Sequence, residues 1–106
     1  MEALAQQYTA GGLADWALIP QHMRGALHCY LAHGIAPGHF LSAVLSNDLR
    51  EAVARADEEN MRALHSYIRF LYNYAPNGSW GSKDCFHNWI AIGGLEGLHA
   101  AQQEQA

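Results

Sequence analysis

The sequence predicts an all-α protein folded as one compact bundle of about five helices. Apolar residues from Met23 to Ile90 recur at three- and four-residue spacing, the beat of one buried helical face, and no segment reads as a strand. The chain has 106 residues, half of them apolar, enough for a single core without a disulfide or a metal. The whole of 1–106 therefore reads as one domain, with an ordered core of about 13–98 and flexible ends.

Residues 1–12 are small and polar and look loosely ordered. Pro20 suits a first helical turn, where its missing N–H costs nothing. Met23, Leu27, Tyr30 and Leu31 then share a face until Gly34, a C-terminal stop. Pro37 and Gly38 turn the chain into a shorter element built on Phe40, Leu41, Val44 and Leu45. Asp48 followed three residues later by Glu51 resembles a capping box, so a new helix starts at Leu49.

From there Leu49, Val53, Ala56, Leu64, Tyr67, Leu71 and Tyr74 keep the helical beat, with Asn60 on the seam. Glu51 with Arg55 and Glu58 with Arg62 are favourable i,i+4 pairs on the outer face. Unbroken, 49–74 would extend about 39 Å at 1.5 Å per residue. That is long for so small a domain, so a kink or restart is expected near Asp57, where Asp57, Glu58 and Glu59 suit a helix N-terminus. Ala75 and Pro76 end the run, and Asn77-Gly78 marks a turn. Ser82 caps a short helix carrying Phe86, Trp89 and Ile90, which Gly93-Gly94 stops. Residues 100–106 have helix-forming composition but almost nothing apolar to bury, which suggests a frayed end.

Composition narrows the function. A net charge of −4 argues against a protein dedicated to duplex nucleic acid, which would carry a basic patch. No apolar run approaches the ~18 residues of a membrane span. No secretory leader is visible in the first nine residues, and Cys29 and Cys85 lie far apart with no Cys-x-x-Cys, so reduced thiols and a cytoplasmic location are expected. Charged residues make up 15% of the chain against roughly 25% in ordinary soluble domains. The resulting surface of alanine, glutamine, histidine and tyrosine is easily covered by an interface, and a bound partner or a homo-oligomer is expected.

Candidate chemistry is sparse. His22, His28, His33 and His39 cluster in sequence, and Cys29 stands four residues before His33 on one helical face, half of a zinc site. The other half, Cys85 with His87, would have to come from a distant helix. Surface or partly buried histidines are the expected reading, with no metal and no cofactor. Neither cysteine sits in a nucleophile motif, no Glu-x-x-His spacing accompanies the carboxylates, and no glycine-rich phosphate loop is present, so no enzyme is expected. The acidic segment Asp48, Glu51, Asp57, Glu58 and Glu59 is either a solvated face or a stripe that steers a basic partner. Trp80, bracketed by glycines in Gly78-Ser79-Trp80-Gly81-Ser82, is either a lid on the bundle or an exposed anchor. One helical arc cannot bury Tyr67, Phe70, Tyr72 and Tyr74 together, so one or two of them face outwards.

Several word patterns carry a resemblance. Ile19-Pro20-Gln21-His22-Met23-Arg24, Pro37-Gly38-His39-Phe40-Leu41, Ala43-Val44-Leu45-Ser46-Asn47-Asp48-Leu49, Ala56-Asp57 with Asn60, Phe70-Leu71-Tyr72-Asn73, Ser79-Trp80-Gly81-Ser82 and Trp89-Ile90 together resemble small phage- and prophage-encoded proteins, over most of residues 19–95. The resemblance brings no catalytic residue with it. It implies a protein that acts in the host cytoplasm by binding a host component, including antiviral defence complexes of the CRISPR type. On this reading Asp57, Glu58 and Glu59 dock the partner electrostatically, while Trp80 and Tyr72 anchor it. The alternative is a nucleotide or small-molecule sponge, a homo-oligomer whose pocket uses aromatic residues, histidines and Arg24, Arg62 or Arg69.

Overall fold

A computed structural model describes residues 14–105. Among these, after a 3-10 turn at Trp16–Leu18, seven α-helices follow: α1 Gln21–His33, α2 His39–Leu45, α3 Leu49–Arg55, α4 Glu58–Arg62, α5 Leu64–Tyr74, α6 Lys83–Ile92 and α7 Gly94–Gln105. No strand occurs among the described residues. The loosely ordered stretch expected at 1–12 lies outside them.

The all-α class holds, but about five helices become seven, for two reasons. The 49–74 segment divides into three. Ala56 takes an extended conformation and Asp57 recaps the chain by accepting from the Asn60 N–H at 2.7 Å, which places the break where the acidic cluster predicts it. A second, smaller interruption falls at Ala63, between α4 and α5. The other addition is α7. Gly93 adopts the left-handed conformation and ends α6 as expected, but Gly94 begins a new helix at once, and residues 100–105 are helical.

Other caps follow the sequence. Asp48 Oδ1 accepts from the Glu51 N–H, and Ser82 Oγ accepts from the Cys85 N–H. Gly34 closes α1 in the left-handed conformation.

Tyr30, Leu27, Leu31, Leu41, Leu45, Tyr67, Phe70 and Leu71 form the buried centre. Each leucine and the phenylalanine among them is worth roughly 1.5–3 kcal/mol of burial. The 3-10 turn packs on α5, α2 on both α3 and α6, and α7 lies across α1 and α6. The α1–α7 crossing is a backbone contact: a Cβ on Gly34 would lie 2.6 Å from the Gly94 nitrogen. Trp89 ties α6 to α1 by donating its indole N–H to the Tyr30 and Leu31 carbonyls at 3.1 and 3.2 Å.

One face differs from the sequence reading. Leu49 and Val53 are 66% and 42% exposed, while Ala52 is the buried residue of α3 at 1%. The apolar beat assumed one helical phase from 49 to 74. The break at Ala56 removes that constraint, and α3 turns its small residue towards the core instead.

Candidate interaction surface

The residues singled out from sequence lie on two stretches of the structure. Asp57 caps α4, Glu58 and Glu59 form its first turn, Tyr72 stands near the end of α5, and Trp80 sits in the loop from α5 to α6. All three carboxylates are exposed, but they are not equally available. The His22 ring lies between two of them, with Nε2 3.3 Å from Asp57 Oδ2 and Nδ1 3.2 Å from Glu59 Oε1. These contacts clasp the start of α1 to the start of α4. The Asn60 N–H, with help from His22, holds the Asp57 carboxyl below the usual carboxylate range. Glu58 faces Arg62 at 3.6 Å on the outer surface.

Trp80 is partly buried and packed against the core, and its loop is pinned on both sides. The buried Ser79 carbonyl accepts from the Tyr30 hydroxyl at 2.6 Å, and the Gly81 N–H donates to the Leu45 carbonyl at 2.9 Å. Of the two roles open to Trp80, this burial fits the lid.

Tyr72 is the opposite case. It is 81% exposed, whereas Tyr67 and Phe70 on the same helix are buried. With it stand Ile68, 41% exposed, and Met61 on α4. Helical phase continues across the Ala63 joint, because the Tyr67 hydroxyl reaches Asn60 Oδ1, seven residues back, at 2.6 Å. Positions 61, 62, 65, 69 and 72 therefore share the outer face, opposite Asn60, Tyr67 and Leu71. Sequence reasoning named Tyr72, and named Arg62 and Arg69 only for the small-molecule alternative, but passed over Met61 and Ile68. The signal was present: residues 60–83 contain no Asp or Glu, while Arg62, Arg69 and Lys83 fall within them.

Among the described residues no group of three or more His, Cys, Asp or Glu has metal-binding geometry. Cys29 and Cys85 are free and half-buried, and His33 Nδ1 meets Glu96 Oε2 at 2.9 Å, tying α1 to α7. His28 is more buried than the sequence reading of surface or partly buried histidines allowed. Burial, and then the neighbouring His33, lower its pKa.

No helix among the described residues is long and apolar enough to cross a membrane. Comparison with known proteins returns no match: no family model fits the chain, and no curated protein or solved structure matches it.

Proposed function

We propose that this chain is a non-enzymatic, phage-type binding protein that attaches to a host protein complex and inhibits or modulates it, an antiviral effector of the CRISPR type being the leading candidate. The observation that carries the binding role is the outer face of α4 and α5. A tyrosine there stands 81% exposed beside Ile68 and Met61, on an element whose inner face is fully used by the core. Large aromatic side chains bring much contact area at low entropy cost, which is why they dominate interface energetics. The scarcity of charge over the chain supports the same reading. The phage context and the defence target come from the sequence resemblance alone.

Native mass spectrometry of the protein purified gently from its host tests this. A stoichiometric complex with a host protein is expected, lost in Tyr72→Ala while that variant keeps its helicity and denaturation midpoint. A bare monomer would overturn the proposal. A homo-oligomer carrying a small extra mass would replace it with the sponge reading.

A further inference from the structure

We infer that Asn77 is a site of spontaneous covalent modification: its side-chain amide is lost through attack by the Gly78 backbone nitrogen, and the isoaspartate that results unfastens the loop between α5 and α6 from the core. This chemistry is independent of what the chain binds.

The dipeptide and its turn leave both reacting groups open. An asparagine side chain reaches the backbone nitrogen of the next residue, and glycine there brings no Cβ to obstruct the approach. Pro76 to Ser79 form a type II turn, closed by the Ser79 N–H on the Pro76 carbonyl at 3.2 Å, with Gly78 at φ 82° and Asn77 at negative φ. Asn77 and Gly78 are both exposed, and a Cβ on Gly78 would meet nothing within 4 Å. Neither the Asn77 amide nor the Gly78 N–H makes a hydrogen bond to another described residue.

The asparagines at 47, 60, 73 and 88 are held differently. Asn47 precedes Asp48, whose N–H is committed to the Ala43 carbonyl at 2.8 Å. Asn60 precedes Met61, whose N–H donates to the Asp57 carbonyl at 2.9 Å, and its own amide oxygen accepts from Tyr67. Asn73 and Asn88 lie inside α5 and α6, where the following N–H belongs to the helical ladder.

The reaction needs no reagent but water. The Gly78 nitrogen bonds to Asn77 Cγ, the Cγ–Nδ2 bond breaks, and ammonia leaves with the Gly78 amide proton. Water then opens the cyclic imide at either carbonyl. Opening at Cγ gives aspartate. Opening at the Asn77 backbone carbon gives isoaspartate, whose main chain runs through Cβ and is one methylene longer.

Position gives that product its consequence. Ser79, two residues on, is fully buried; its Oγ donates to the Pro76 carbonyl and its own carbonyl accepts from the Tyr30 hydroxyl, both at 2.6 Å. An extra methylene between Pro76 and Ser79 pulls the Ser79 carbonyl off Tyr30 and strands a buried hydroxyl. Trp80, next along, loses its seat on the core. Aspartate keeps the backbone and adds only an exposed charge.

The test incubates the full chain in mildly alkaline buffer beside a synthetic peptide spanning residues 74–81. Peptide mapping follows the amide-to-acid mass gain at each asparagine, and electron-transfer fragmentation separates the two acids. Asn77 is expected to convert at least about tenfold faster than any other asparagine of the folded chain, and no more than about tenfold slower than in the peptide. The isoaspartate form, isolated by chromatography, should melt about 4 °C or more below the unmodified chain and shift the amide resonances of residues 79–81. Asn77→Asp should keep the melting temperature, and Asn77→Gln should keep it while abolishing conversion at that position. The inference is overturned if another asparagine converts as fast, if the folded turn slows the reaction beyond that limit, or if only aspartate forms. It is also overturned if the isoaspartate form melts like the unmodified chain.

Discussion

The Tyr67 hydroxyl donates to Asn60 Oδ1 at 2.6 Å, and both residues are buried, so two polar groups seven residues apart satisfy each other across the joint between α4 and α5. Removing one partner strands the other away from water, at a cost of about 1–3 kcal/mol. Asn60→Ala and Tyr67→Phe should each lower stability on that scale. The double variant should fall short of the sum, because the two losses share one hydrogen bond. Urea denaturation of all four proteins gives the coupling directly, and strict additivity would show the bond to be energetically silent.

The glycines where α1 crosses α7 predict an inversion of the usual rule. Alanine in place of a helical glycine ordinarily stabilises by up to about 1 kcal/mol. Gly97 lies within α7, yet a Cβ there would collide with the Ile92 carbonyl oxygen. A Cβ on Gly34 would meet the Gly94 backbone, at a position whose φ of 69° already disfavours it. Gly97→Ala and Gly34→Ala should therefore destabilise by more than about 1 kcal/mol. Gly38→Ala, with nothing within 4 Å and an ordinary negative φ, should change stability far less. Thermal melts rank the three.

Alkaline pH should act through two phenols. Burial, the largest cause in both, pushes the Tyr30 and Tyr67 hydroxyls above the usual tyrosine range, with Cys85 adding to the effect at Tyr30 and Asp57 and Glu59 at Tyr67. A group raised in the folded state keeps its full stabilising contribution below its unfolded value, about 10, and loses it as pH rises beyond that. The denaturation midpoint should fall progressively as pH rises above about 10. Tyr30→Phe and Tyr67→Phe should each flatten that fall, and an unchanged slope in both would contradict the assignment.

Acid should act in the opposite sense at Asp57. Its carboxyl is held low chiefly by the Asn60 N–H, so the charged form stabilises the fold above the ordinary value of 3.8, and the contribution is lost as pH falls through the lowered folded value. Asp57→Asn keeps an acceptor for the cap but removes the charge. It should be less stable than wild type at pH 6, and the gap should narrow as pH falls below 3.8. A gap that persists in acid would point to packing instead of charge.

Much of the local structure was legible along the chain. Asp48, Asp57 and Ser82 announce helix starts because a short side-chain acceptor there satisfies otherwise orphaned N–H groups, and Gly34 and Gly93 announce ends because a left-handed residue is needed. The α7 helix was hidden because Gly94 and Gly97 are poor helix formers in isolation. A Cβ on Gly94 would meet α1 at Gly34, sixty residues away in sequence, and one on Gly97 would meet the Ile92 carbonyl at the end of α6.

The candidate surface divides in the same way. That the chain is helical, sparsely charged and unable to bury every aromatic residue near Tyr72 follows from composition and spacing, since both are properties of short windows. Which carboxylates remain available depends on His22 meeting Asp57 and Glu59, thirty-five and more positions away. Trp80 covering the core and Leu49 facing water depend likewise on neighbours brought in by the fold and on the break at Ala56. Helix type and caps are local free energies that the amino-acid order alone determines, whereas burial and the pairing of charges are energies of long-range contacts, which only the packed tertiary structure decides.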